Sequence, residues 1–281
     1  MLKIKIVPDD PEYVRKTEMV SLLENVYSGN DDRSKYLVDL SGMPALDERM
    51  LKEFNDATLV VSPEEFSKLK DRENILAAYP WRHWSVIYSL RQYIITGDAG
   101  DLVSFRIIIN LPRKASRGEQ YFYNRFLPEI IDLGCYIACA GVQEIHINRV
   151  EKQNICFVLV KFANKIVAEI ELNEVIPDCL DPIRFVKAHF TEGVFTNMPL
   201  GGDLNVEGSL IVTGDSVERF VHEHMEHDRG DELGNFYFRM LYDIVNELYV
   251  PERYTDFRVI QKTVRHCLES NLLGTVKEII R

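Results

Sequence analysis

The chain has 281 residues, 46% hydrophobic, 27% charged and 10% aromatic, with 15 glycines and 11 prolines. That is globular composition with room for about two domains, and it excludes collagenous, low-complexity and membrane-spanning classes, because no apolar run approaches the roughly 18 residues a bilayer needs. Thirty-three Lys and Arg stand against 44 Asp and Glu, a formal charge of −11, and a surface of that sign repels a phosphate backbone. The densest basic stretch, Arg113-Lys114-Ala115-Ser116-Arg117, is short and lacks interleaved aromatics, so neither nucleic acid nor a membrane is an expected partner. The opening segment has no long apolar core, and the five cysteines, an odd set with no CxxC pair, fit reduced thiols; a cytoplasmic location is the expectation.

In chain order, Leu2–Val7 alternates like a strand, Val14–Tyr27 carries apolar residues at helical spacing, and Tyr36–Leu40 reads as a strand. Leu46–Phe54 is helical and Thr58–Val61 again a strand. Such alternation predicts a parallel sheet faced by helices. A helix over Trp84–Ile95 stops at Gly97. Beyond Gly100 the pattern changes. Leu102–Ile109, Glu144–Val150, Ile155–Phe162, Ile166–Leu172, Ile183–Phe190 and Ser209–Val212 are strand-like runs with short connections, one of them turning at Asn164. They predict a large, mostly antiparallel sheet, interrupted by a helix near Leu127–Ala140. Cys135 and Cys139, one helical turn apart in that helix, are expected in the core. Helices over Leu233–Leu248 and Asp256–Glu269 and a short strand, Val276–Ile280, close the chain.

Two motifs bear on chemistry. A dinucleotide cradle needs a glycine-rich turn after the first strand, where backbone amides and a helix N-terminus approach the pyrophosphate. Here the strand runs into Pro8-Asp9-Asp10-Pro11-Glu12, which has no glycine, two residues without an amide donor, and three carboxylates. The segment His222-Glu223-His224-Met225-Glu226-His227 sets histidines within one helical turn and makes His222, His224 and His227 weak metal-ligand candidates. The spacing is not that of HExxH, and short charged runs of this kind are usually solvated.

Six segments follow one another in a telling order: Leu37-Val38-Asp39-Leu40-Ser41, Leu59-Val60-Val61-Ser62-Pro63, Tyr79-Pro80-Trp81-Arg82, Ile94 to Leu102, Ile131-Asp132-Leu133-Gly134-Cys135-Tyr136, and Ser270-Asn271-Leu272-Leu273-Gly274. Together they resemble the Gfo/Idh/MocA oxidoreductases over about Tyr36 to Arg281. That family has an N-terminal Rossmann domain for NAD(P) and a C-terminal domain whose open sheet forms the substrate site and often an oligomer interface. The first segment looks like the strand before the helix of the family's third βα unit, the second like its strand ending in Glu-Lys-Pro, and the third like its strand ending in Arg. The fourth looks like its helix-to-strand crossing, the fifth like its Asp-x-Gly-x-His helix and the sixth like the end of its last helix. Against that pattern the family's lysine falls at Ser62, its histidine at Tyr136 and the next aspartate at Cys139, while Asp132 is retained. The glycine loop is absent, and the N-terminal region is shorter by about one βα unit. Neither an unactivated serine hydroxyl nor a phenol readily replaces lysine and histidine in proton transfer near neutral pH.

The resemblance therefore implies an α/β plus α+β chain: a shortened Rossmann-like domain over residues 1–98, then a sheet domain over residues 99–281 whose last helix packs back on the first. The expected protein is non-catalytic, a pseudoenzyme without a cofactor. It is a homo-oligomer through its C-terminal sheet, with Arg82, Asp132 and Tyr136 as candidate contacts for a small polar, sugar-like molecule. The alternative is an active NAD(P)-dependent sugar or nucleotide-sugar oxidoreductase with a rebuilt site.

Overall fold

Ile4 and Ile6 are buried while Lys3 and Lys5 are exposed, the alternation that makes the first segment a strand. The structure, a computed structural model, describes residues 2–8, 35–43, 45–69, 72, 74–150, 153–198, 209–214, 216–220, 232–246, 248–249 and 254–269, with 14, 16–18, 20, 21 and 23. The chain divides into two compact units, Met1–His83 with Met225–Glu252, and Trp84–His224 with Arg253–Arg281.

In the first unit, β1 (Leu2–Ile6), β2 (Lys35–Asp39), β3 (Thr58–Val61) and β4 (Ile75–Ala77) form a parallel sheet in the order β1-β2-β3-β4. Helical positions between 14 and 23, the helix Glu48–Glu53 and the helix Pro63–Leu69 lie in the crossings. Leu59, Val60 and Val61 are fully buried, as a central parallel strand covered on both faces requires. The helix Glu232–Val245 completes this unit, placing Tyr237, Phe238, Met240, Leu241, Ile244 and Val245 in one core with Ile4, Ile6, Leu37 and Val60. The segment expected to be a strand ending at Arg82 is different: the strand stops at Ala77, and Pro80–His83 forms a single 3-10 turn, because proline fixes its own φ and has no amide for a ladder.

In the second unit, eight strands form one sheet in the order β12-β11-β10-β9-β5-β8-β7-β6. They are β5 (Leu102–Pro112), β6 (Val142–Arg149), β7 (Ile155–Phe162), β8 (Val167–Ile176), β9 (Ile183–Phe190), β10 (Gly193–Thr196), β11 (Ser209–Thr213) and β12 (Ser216–Phe220). Only β5 and β8 pair in parallel; the other neighbours are antiparallel. The α/β plus α+β architecture is therefore as expected. The helix Leu127–Ala138 is buried along nearly its whole length, and an all-round apolar helix belongs inside a fold. It comes closest to the sheet at Gly134, where a Cβ would sit 3.2 Å from the ring end of Phe162. The helix Phe257–Glu269 packs on it and on β6 through Phe257, Ile260 and Val264. The helix Ser85–Thr96 ends where Gly97 turns left-handed at φ 73°, a conformation that glycine adopts without penalty. The predicted strand Val276–Ile280 lies outside the described residues.

Asp39 ends β2 with no exposed surface. Its Oδ2 accepts from Lys16 Nζ at 2.7 Å and from the Tyr237 hydroxyl at 2.5 Å, while Oδ1 accepts the Ser41 amide at 2.8 Å. Burial alone would raise the carboxyl pKa, but the Lys16 charge and the hydrogen bonds from Lys16, Tyr237 and Ser41 together hold it below the ordinary 3.8. A carboxylate depressed by folding contributes stability above its unfolded pKa and loses it as pH falls through the folded value. Asp39→Asn takes the Asp39 counter-charge from the buried Lys16 ammonium and is expected to cost about 3–5 kcal/mol. Urea unfolding followed by tryptophan fluorescence measures this. The double variant Asp39→Asn, Lys16→Met should recover part of the loss.

Candidate functional site

Ser62 follows β3, and its hydroxyl accepts the Glu65 amide at 3.3 Å, capping the helix Pro63–Leu69. Serine before proline, with Glu three residues on, is a helix-start signature. The position that carries the family's lysine is thus spent on a helix N-terminus, with 8% of the serine exposed. Arg82, also in the first unit, is buried and lays its guanidinium 3.8 Å from the Tyr79 ring centroid.

Asp132 and Tyr136 stand in the second unit, four residues apart on the helix Leu127–Ala138, so they share one face. Asp132 is buried and Tyr136 half-buried. Arg91, from the helix Ser85–Thr96, stacks its guanidinium 4.6 Å from the Tyr136 ring centroid and reaches the Cys139 sulfur. A guanidinium over a phenol ring is a cation–π contact, which joins Arg91 and Tyr136 in one unit of structure. Cys139 corrects the expectation that it lies in the core. It caps the helix in a left-handed conformation, φ 54°, and is exposed, whereas Cys135 is buried beside the Thr255 hydroxyl. The chain reverses at that residue, which swings its side chain outward.

A second polar cluster surrounds Tyr121. Phe122–Phe126 is a π-helical turn leading into the helix Leu127–Ala138, a local irregularity that is frequent at functional sites. Glu129 is buried and accepts Arg125 Nε at 3.0 Å; burial raises its pKa more than Arg125 lowers it. Glu174 accepts the Ser116 hydroxyl at 2.8 Å and Asn154 Nδ2 at 2.9 Å, and burial again raises its pKa. Burial, followed by the Glu129 charge, pushes Tyr121 up to about 12. Every one of these carboxylates has a protein donor, so the cluster ties the strand and helix ends together.

The candidates His222, His224 and His227 lie outside the described residues. Among the described residues no group of three His, Cys, Asp or Glu side chains is arranged to hold a metal ion, and no helix is long and apolar enough to cross a membrane. The residues present do not fit a nicotinamide dinucleotide at the first crossing: β1 runs directly into Pro8, which offers no amide, and no glycine precedes the helical positions after it.

No family model matches the sequence, and no curated protein matches it. Solved structures do. An NAD binding oxidoreductase from Klebsiella pneumoniae is similar with TM-score 0.67 at 12% identity, covering 99% of each chain. A levoglucosan dehydrogenase in complex with NADH is similar with TM-score 0.65 at 12% identity, over 96% of each chain. Myo-inositol dehydrogenase from Lactobacillus casei, in complex with NAD(H) and myo-inositol, gives TM-score 0.63 at 14% identity over 99% of this chain and 89% of that one. These likenesses establish the fold, a Rossmann-like parallel-sheet unit with a large, mostly antiparallel sheet unit. It is the fold that the resemblance to the Gfo/Idh/MocA oxidoreductases implies.

Sequence reasoning did not single out Arg91, Lys16, Tyr237 or the pair His83 and Asp243. Only Ser62 carried a legible local signal, the Ser-Pro-Glu-Glu start of a helix. The exposure of the cysteines gives a direct check: a thiol reagent should label Cys139 and Cys179 rapidly in the native protein, and Cys135, Cys156 and Cys267 only after unfolding. Mass spectrometry of the labelled peptides reads the sites.

Proposed function

We propose that this protein is a non-catalytic counterpart of the dehydrogenases whose fold it has, one that associates with itself through the eight-stranded sheet and holds a small polar molecule without oxidising it. The observation that carries this reading is the strand order of the first unit. Dinucleotides bind in open parallel sheets at the crevice where strand order reverses. Among the described residues the order β1-β2-β3-β4 runs in one direction throughout. Three further observations support the reading: Pro8 after β1, Ser62 committed to a helix cap, and Tyr136 committed to Arg91. Asp132 and Tyr136, which share a helix face in the second unit, are the proposed contacts for a hydroxyl-bearing ligand, a carboxylate and a phenol being suited to hydroxyls.

The proposed partner for the sheet is a second copy of this chain. Phe157, Leu159 and Val167 alternate with buried Val158, Val160 and Ala168 and are 43%, 52% and 43% exposed on the outward face. The charges between them are neutralised within the face. Arg106 lies 3.1 Å from Glu171 and 3.6 Å from Glu169, and Lys161 lies 3.2 Å from Glu144. Two identical faces of that kind meet under a twofold axis without like-charge repulsion and cover each other's apolar residues.

The second reading, an active NAD(P)-dependent sugar or nucleotide-sugar oxidoreductase, is favoured by the dehydrogenases of the same fold in complex with NADH or NAD(H). Titration with NADH, followed by its fluorescence, separates the two. The proposal expects no saturable binding at micromolar NADH and no NAD turnover by the double variant Ser62→Lys, Tyr136→His; micromolar binding favours the enzyme. Light scattering at micromolar protein is expected to give more than the 32.6 kDa of one chain, and Leu159→Glu should shift that mass toward the monomer.

A further inference from the structure

His83 closes the 3-10 turn Pro80–His83, and Asp243 lies on the helix Glu232–Val245, 160 residues further along the chain. His83 Nδ1 is 2.7 Å from Asp243 Oδ2, and the two side chains are only 10% and 14% exposed. The other imidazole nitrogen, Nε2, is buried with no hydrogen-bond partner among the described residues. The charged groups facing this pair come from both elements: Arg239, whose Nε is 3.1 Å from Asp243 Oδ1, on the helix, and Arg82 on the turn. Tyr249 stacks on the imidazole with ring centroids 5.4 Å apart and planes at 21°. Nearby, Phe236 of the same helix meets Trp81 of the same turn at 5.3 Å, so the pair sits at the centre of the helix–turn contact.

The carboxylate accepts from Nδ1–H, which leaves the lone pair on Nε2 and the ring neutral. A second proton would have to go on Nε2, creating a buried N–H that faces no acceptor among the described residues and a positive charge beside two arginines. We propose that His83 and Asp243 form an acid-sensitive latch, in which uptake of a proton by His83 loosens the helix Glu232–Val245 from the turn Pro80–His83. Because the helix also carries Tyr237 to Asp39, opening the latch weakens the parallel-sheet unit and leaves the eight-stranded unit as it was. The latch is independent of whether the protein binds a nicotinamide.

The sign follows from the neighbours. Burial, the largest influence, lowers the His83 pKa below the ordinary 6.5; Asp243 raises it by less, and Arg82 and Arg239 lower it further. The unfolded or opened chain therefore takes up a proton before the closed one does. The stabilisation is complete above about pH 6.5 and falls as pH drops below it, by up to about tenfold in the opening equilibrium per pH unit.

Hydrogen–deuterium exchange on the full-length protein, corrected for intrinsic rates, tests this between pH 7.5 and pH 5.5. Protection in Glu232–Val245 is expected to drop by about tenfold, while protection in Leu127–Ala138 stays constant. In His83→Gln, whose amide still donates to Asp243 but does not titrate, the drop should vanish. If that variant does not fold, 15N titration of the imidazoles in the unaltered chain decides, since His83 must keep its neutral form, protonated on Nδ1, to lower pH than an exposed histidine does. Equal protection at both pH values, an undiminished drop in His83→Gln, or a His83 that charges at the same pH as an exposed histidine or above it overturns the latch.

Discussion

The first unit depends on one buried charge. Asp39 draws Lys16 from 23 residues upstream and Tyr237 from 198 residues downstream to the end of β2, where Val38, Leu40 and Val60 are fully buried. A buried ion pair of this kind gains little net stability, because desolvation offsets most of the Coulomb attraction. What it does is forbid alternatives: any packing that fails to bring both partners to Asp39 leaves a bare charge in a hydrocarbon core. The carboxylate fixes how Glu232–Val245 lies, and the helical repeat then sets its other contacts. Phe236 meets Trp81 and, two turns on, Asp243 meets His83. Beyond the helix, the Tyr249 hydroxyl donates to the Ala77 carbonyl at the end of β4.

Most of this architecture could be read from periodicity, and the parts that could not share a cause. β1 alternates lysine with isoleucine and so announces a strand, and β7 reads as a strand from a short run of apolar, largely β-branched and aromatic residues, while its buried Val158 and Val160 and outward Phe157 and Leu159 are told apart only in the structure. β4 and β10, at three and four residues, are too short for any period to emerge. The π-helical turn at Phe122–Phe126 has the composition of an ordinary helix, and only its packing, with Phe122 and Phe126 ring centroids 5.8 Å apart, distinguishes it. Asp243 and Tyr237 look like ordinary surface residues of an amphipathic helix. Their meaning comes from partners more than 150 residues away, and a single sequence carries no signal for that separation.

The candidate site was legible in a different way. Asp132, Tyr136 and Ser62 were singled out because the segments that hold them resemble those of a known family, and the structure then shows Asp132 and Tyr136 one turn apart on the same helix. Arg91 was not found, since nothing in its own helix marks an arginine that will lie on a phenol from another one. The pair is nevertheless what gives Tyr136 a structural role.

That role shows how these two positions are tied into the fold. At Ser62 the side-chain hydroxyl accepts the backbone amide of Glu65 in the first turn of the helix Pro63–Leu69, and a lysine there would give up a cap worth about 1 kcal/mol. At Tyr136 the ring supports Arg91, a residue that is only 6% exposed, and an imidazole would present a smaller face to the same guanidinium. Each residue that departs from the family's pattern is thus held by a neighbour within its own unit. Replacing either one alone therefore costs stability within its own unit.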